Sequence, residues 1–328
     1  MKLRLATFNA ENLFARWKDR RADAKRFDNG RGRADAKHGN ARQGHPNRKH
    51  GKKKHGEAPF RHDPARFREY DHKKRELTAR AILSLNADVI GLQEIENLDT
   101  LKRFNHRMLG DEYPYQILID GNDDRLIDVA LLSRLPFDYI RTHQYLRTKD
   151  DRDWLFSRDC LEVGIRAGKK RVLPVFVNHF KSMHGGREDT MPRRAEQSRA
   201  VVRLLKERFG KDPGAYAWAV LGDLNDYMPS AGLKPLLSQP WIVNVVDRIK
   251  DPRDRWTHFY PGNGEYNQLD YILLSRSLAA GNPKAVPYIE RRGMPRRAER
   301  AGEWWSEVDD RKRIKASDHC PVVIQLKV

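Results

Sequence analysis

Polar residues recur where apolar runs stop. Asn9 follows Leu3–Phe8, Glu94 follows Val89–Leu92, and His179 follows Val172–Val177. Asp223 and Asn225 come after Val220-Leu221, and Asp318-His319 stands just before Pro321–Leu326. Asp270 sits inside the apolar run Gln268–Leu273. Carboxylates and amides are hard oxygen donors that suit Mg2+ or Mn2+ rather than zinc. Imidazoles and carboxylates together can move protons and stabilise developing negative charge. Each residue also has a plainer reading. Asn or Asp after a strand is usual turn chemistry, and Gly222-Asp223-Leu224-Asn225-Asp226 alone is an acceptable Asx turn. His179 alone can be a satisfied core histidine, and Ser317-Asp318-His319 can be a cap. Asp270 is harder to set aside, because an unpaired buried carboxylate costs several kcal/mol. Asp223 and Asn225 are two apart, so an extended backbone would turn both side chains the same way.

These residues need strands to carry them, and the hydrophobic pattern supplies strands. Leu3–Phe8, Asp88–Leu92, Ile127–Leu132, Ala217–Leu221, Gln268–Leu274 and Pro321–Leu326 read as strands. Leu161–Arg166 and Val172–Val177 read as a hairpin around Gly168-Lys169-Lys170, with Pro174 suggesting an edge strand or a bulge. Lys73–Leu85 predicts a helix with Leu77, Ala81 and Leu85 on one face. Arg194–Phe209 predicts another, opened by Pro192 and stopped by Gly210. No internal repeat is visible. Strand-rich order with a few helices fits an α/β fold built on two packed sheets.

The chain has 328 residues, 39% hydrophobic and 33% charged. It carries 64 Lys and Arg against 45 Asp and Glu, a formal charge of +19. Such a field favours polyanionic partners, nucleic acid first and an anionic membrane second. From about Arg16 to Pro64 the sequence is rich in Lys, Arg, His and Gly and almost devoid of aliphatic residues. It cannot bury enough apolar area to offset its ordering entropy, so a disordered basic insertion is expected. Its histidines, among them His38, His45, His50 and His55, read as part of a solvated basic arm more readily than as metal ligands. Two cysteines, Cys160 and Cys320, imply no disulfide framework and cannot make a thiolate zinc site alone. No signal peptide and no membrane span are visible, so the expectation is a cytoplasmic protein, with secretion left open. No protein partner is expected.

Taken in order, six blocks resemble the endonuclease/exonuclease/phosphatase superfamily, which includes deoxyribonuclease I, exonuclease III, neutral sphingomyelinases and inositol polyphosphate phosphatases. The blocks are Thr7–Asn12, Val89–Glu94, Asn178–Ser182, Gly222–Asn225, Leu269–Ile272 and Ser317–Val322. Single blocks are weak, but six in family order are specific. Asn178-His179 stands where exonuclease III-like members carry a tyrosine, so the chain looks closer to the deoxyribonuclease I and bacterial nuclease branch. The lack of a leader and the basic insertion depart from that branch.

The resemblance implies a single domain over 1–328, folded as a four-layer α/β/β/α sandwich of two packed mixed β-sheets, with the site at one end of the sheets. It implies Glu94 as main metal ligand for Mg2+ (or Mn2+), with Asn9 and Asp318 beside it. Asp223 would orient or deprotonate the attacking water, and Asn225 would hold a phosphate oxygen. His319 would contact the phosphate or carry a proton, His179 would lie across the scissile phosphate, and Asp270 would pair with a histidine. Arg125, Arg158, Lys181 and Asp128 are weaker candidates, the cations for phosphates and Asp128 for facing the site. For these, ordinary surface salt bridges compete, and the basic runs Arg291–Arg297 and Arg311–Lys315 are either a rim or solvated charge. The expected activity is a metal-dependent nuclease acting on DNA. The alternatives are a phosphodiesterase or phosphatase on a lipid headgroup or inositol phosphate, and a catalytically silent nucleic-acid-binding protein.

Overall fold

The computed structural model describes residues 1–13, 72–168 and 171–328, together with the backbone of Lys18–Asp19 and Phe67–Arg68. The basic insertion expected at about 16–64 lies almost wholly outside the described residues. The chain divides into two units, Met1–Phe14 with Asp71–Val328, and Ala15–Tyr70. In the second unit the described feature is an antiparallel pairing of β2 (Lys18–Asp19) with β3 (Phe67–Arg68).

The first unit is built on two six-stranded mixed sheets. One runs β15 (Tyr288–Ile289), β16 (Val322–Lys327), β1 (Lys2–Leu13), β4 (Val89–Ile95), β6 (Asp128–Ser133) and β5 (Tyr115–Leu118). The other runs β11 (Ile242–Asn244), β14 (Asp270–Ser275), β10 (Ala219–Asp223), β9 (Val172–His179), β8 (Cys160–Arg166) and β7 (Phe137–Arg141). β1 lies parallel to β4, and β9 parallel to β10; the other neighbours are antiparallel. A two-residue period distributes each strand between two cores. Leu5, Val89, Leu161, Val175, Leu221 and Ile272 fill the space between the sheets. Their neighbours Phe8, Ile90 and Leu92 pack outward under α1 (His72–Ser84) and α2 (Leu98–Met108). Phe176, Val220 and Leu273 pack outward under α3 (Arg187–Phe209). The result is the α/β/β/α sandwich, each fully buried aliphatic side chain contributing about 1.5–3 kcal/mol.

Several local expectations change. β9 is an interior strand, paired with β8 and β10. Its Pro174 is tolerated because pairing with β10 begins only at Val175, so Pro174 has a strand neighbour on one side, at Gly164. The β8–β9 pairing holds from Arg166↔Val172 onward, and residues 169 and 170 lie outside the described residues. α3 starts at Arg187, ahead of Pro192, because Arg194 donates back to the Arg187 carbonyl at 2.6 Å and Thr190 Oγ1 to that of Gly186 at 2.7 Å. α2 escaped the sequence reading although Asn97 caps it, accepting from Thr100 N–H at 2.8 Å. A hairpin of β12 (His258–Tyr260) and β13 (Glu265–Asn267) stands beside the ends of the sheets. Cys160 and Cys320 are both buried and free. Among the described residues no helix is long and apolar enough to cross a membrane.

Candidate active site

Three adjacent strands of the second sheet end in register on polar residues. Asp223 at the end of β10 lies opposite His179 of β9 and Asp270 of β14. Cross-strand partners share a face, so the three side chains converge. The approach is close: Gly222 has φ +136°, and a Cβ there would stand 1.9 Å from the Asn178 carbonyl oxygen. No other residue fits that position. His319 arrives from the loop before β16. Ser317 Oγ donates to the Asn9 carbonyl at 2.7 Å and accepts His319 N–H at 3.0 Å, so one hydroxyl ties this loop to β1. Thr78 of α1 holds the same loop through the Ala316 carbonyl at 2.9 Å.

Asp223 is the hub. Its Oδ2 accepts from Asn9 Nδ2 at 3.0 Å and Asn225 Nδ2 at 3.2 Å. It lies 3.6 Å from His179 Nε2 and 3.8 Å from His319 Nε2. His319 Nδ1 is 2.8 Å from Asp270 Oδ2, which leaves Nε2 as the nitrogen facing Asp223. Burial raises the Asp223 carboxyl to about 7 against the pull of His319, and Asp270 adds to the rise. Burial opposes charge on His319, yet Asp270, Asp223 and Asp318 hold its imidazole well above the usual histidine range. Burial, with the charges of Arg158 and His319, holds His179 well below that range. The site therefore pairs one cationic with one neutral imidazole across a carboxyl poised near neutrality.

A second group of carboxylates faces the same space. Glu94 sits at φ +62°, where the register of β4 against β6 shifts between Leu92 and Ile95. The bulge re-aims its side chain at the cost of a left-handed backbone. Glu11 is also left-handed, at φ +48°, with its N–H bound by Asn9 Oδ1 at 3.0 Å. Burial and the charge of Asp318 raise the carboxyls of both Glu94 and Glu11. Burial would raise Asp318 too, but Lys315, His319 and His258 bring it down to about 2. Lys315 binds Glu11 at 2.7 Å and lies 3.8 Å from Asp318. Three carboxylates against one lysine leave excess negative charge and hard oxygen donors, a set that fits a divalent cation. Asp223, Asp270 and His319 also offer atoms within 4.8 Å of one another. There, however, Asp270 Oδ2 is already committed to the His319 imidazole at 2.8 Å, which leaves the trio one donor short of an open metal cradle.

Both groups line one cleft of about 550 Å³, which holds Glu94, His179, Asp223, Asn225, Asp318 and His319. Asn9 and Asp270 stand behind it, buried, orienting Asp223 and His319. Asn225 is not on an extended chain: its φ is +51°, and its N–H binds Asp223 Oδ1 at 2.8 Å. The two side chains meet all the same, and the Asn225 amide also donates to the Phe180 carbonyl at 3.1 Å. Arg158 reaches the cleft with its guanidinium held by Asp123 at 2.8 Å and by the Phe180 carbonyl at 3.2 Å. Lys181 lies outside this cleft, in an adjoining one of about 440 Å³. Asp128 is away from both, accepting Gly121 N–H at 2.9 Å. The run at Arg291–Arg297 is tied to its own loops, Arg291 lying over Trp256 at 4.6 Å and Arg292 bound to Glu290. Sequence reasoning missed His258, whose ring centroid is 4.6 Å from that of His319 and which burial and His319 push down to about 3. It also missed Arg187 and Tyr227 on the opposite wall, where the guanidinium covers the ring at 3.9 Å. No strand pattern flags these three, because they come from a hairpin, a helix start and a loop.

The family model described as Endonuclease/Exonuclease/phosphatase family matches residues 60–319. A search of curated protein sequences found no match. Among solved structures, truncated TDP2 of Caenorhabditis elegans is similar at a TM-score of 0.56 and 14% identity, covering 78% of this chain and 90% of that one. An endonuclease/exonuclease/phosphatase family protein of Bacteroides thetaiotaomicron is similar at 0.55 and 14%, covering 99% and 97%. A mannosyl-6-phosphatase of the same bacterium is similar at 0.55 and 15%, covering 99% and 100%. Identities this low speak to the fold alone. Members of the matched family are metal-dependent hydrolases of phosphoester bonds. The chain belongs to the endonuclease/exonuclease/phosphatase family.

Proposed function

We propose that the protein is a Mg2+- or Mn2+-dependent endonuclease that hydrolyses phosphodiester bonds in DNA. One observation carries the reading: His179 and His319 meet the Asp223 carboxyl, at 3.6 and 3.8 Å, in one cleft that the Glu94 and Asp318 carboxylates also enter. Glu94 and Asp318 would hold the cation, with Asn9 setting the backbone of Glu11 beside them. When bound, that ion supplies Lewis acidity and neutralises phosphate charge.

The chain's own residues supply the rest. As the water oxygen bonds to phosphorus and the P–O bond to the leaving sugar oxygen breaks, Asp223 Oδ2 accepts the water's proton, its pKa near neutrality being suited to a general base, and the leaving oxygen takes a proton from solvent. Asn9 and Asn225 fix that carboxylate, so Asn225 acts by orientation, its amide already donating to Asp223 and Phe180. His319, steadied by Asp270, directs a positive N–H at the charge gathering on the phosphate. His179 adds a neutral donor from the neighbouring strand. The charge of +19 supports a polyanionic substrate over a small headgroup.

A substrate panel tests this. The protein in Mg2+ should nick supercoiled plasmid and then linearise it, and EDTA should stop both. Turnover of a phosphomonoester or a sphingomyelin analogue, with plasmid left intact, would reject the nuclease assignment. Salt-sensitive binding of plasmid with no cleavage under any metal, and no turnover of the small phosphoesters, would reject the enzymatic reading in favour of nucleic-acid binding alone.

A further inference from the structure

The adjoining cleft shares Arg125, Arg158, Ser182 and His184 with the catalytic cleft, so the two form one continuous groove. Its size, about 440 Å³, is that of a small-ligand site. Two features of it are not used by the chemistry. Lys181 is exposed and has no ion pair among the described residues, whereas nearby Asp123 is taken by Arg158 and Arg125, and Asp153 by Arg193. Trp154 is 39% exposed on the same wall, with the Arg147 guanidinium on one face of its ring at 4.4 Å. An uncommitted cation and a braced indole within one cleft match the two halves of a nucleotide, phosphate and base. A bare phosphomonoester would use only the cation and a choline-type headgroup only the indole, whereas a nucleotide uses both.

We propose that this side cleft is a nucleotide subsite, in which Lys181 takes the phosphate next to the scissile one and Trp154 stacks on the adjoining base. The assignment rests on the nuclease reading and refines it: the enzyme favours chains that extend past the cut on the His179 side over isolated diesters. Burial and the charges of Arg158 and Arg125 lower the Lys181 ammonium pKa, as expected of a cation set where positive potential is concentrated. Asp124, exposed on the same rim, opposes anion binding there and is outweighed by the arginines and Lys181.

The test compares a single-stranded oligonucleotide with bis(4-nitrophenyl) phosphate, a diester with no neighbouring nucleotide, in wild type, Lys181→Ala, Trp154→Ala and Trp154→Phe. The ratio of oligonucleotide to small-diester kcat/KM should fall about tenfold in Lys181→Ala and in Trp154→Ala, through KM, and recover in Trp154→Phe. A neutral methylphosphonate beside the cut should slow wild type on one side only and add nothing to Lys181→Ala. Ratios equal to wild type in both alanine variants would overturn the subsite while leaving the nuclease assignment intact. Wild-type hydrolysis of the small diester with no cleavage of any oligonucleotide would overturn both.

Discussion

Among single residues, the chemistry of the cleft turns on how one carboxylate sets another group's charge. Asp270 Oδ2 lies 2.8 Å from His319 Nδ1 and is the foremost of the charges that hold that imidazole well above the usual histidine range. His319→Ala should lower kcat by about 10²- to 10⁴-fold with the fold retained, measured by plasmid nicking and circular dichroism. Asp270→Asn should keep the hydrogen bond but lose the charge, so the His319 pKa falls, readable as a displaced imidazole titration by NMR. Asp128 offers a control away from the chemistry. Burial raises its carboxyl to about 7, so folding favours its neutral form. The destabilisation therefore begins as pH rises through the unfolded value, grows up to about 7, and is constant above it. Asp128→Asn should raise Tm more at pH 8 than at pH 5, without changing kcat. An equal gain at both values would contradict the assigned ionisation.

At the scale of elements, the site depends on strand ends being held at backbone contact. Gly222→Ala should cost more than about 2 kcal/mol, seen as a lower urea midpoint, because its Cβ meets the Asn178 carbonyl at 1.9 Å and its φ is +136°. Activity should fall with it, since Gly222 and Asn178 are the residues before Asp223 and His179. The strands bearing these residues were legible from period-two alternation: Leu5, Val89, Val175, Leu221 and Ile272 face the inner core as alternation requires. Pro174 misled, because a sequence does not show where a neighbouring strand begins. Asn225 was placed beside Asp223 for the wrong reason, an extended backbone, when a left-handed turn does the work. Glu94 was visible after a strand, but the bulge that aims it was not, since a register shift is a property of two strands. His258, Arg187 and Tyr227 were invisible because they reach the cleft from elements that pair or pack only in three dimensions.

At the scale of the whole molecule, charge and metal dependence are the observables. The +19 charge predicts that KM for DNA climbs steeply with salt, by about tenfold or more between about 50 and 200 mM, while kcat moves little. A small neutral-flanked diester should lack that dependence. The excess of carboxylates around Glu94 predicts that a divalent cation raises Tm, and that the rise disappears in Glu94→Gln, because the added ion relieves their mutual repulsion. A cation effect on Tm that survives Glu94→Gln would place the ion elsewhere. The most direct test of the central claim is plasmid nicking in Mg2+ by wild type and by Asp223→Asn, each matched for Tm. Wild type should give nicked and then linear DNA and the variant a rate at least about 10²-fold lower; equal nicking by both would show that the Asp223 cleft is not where the phosphodiester bond is cut.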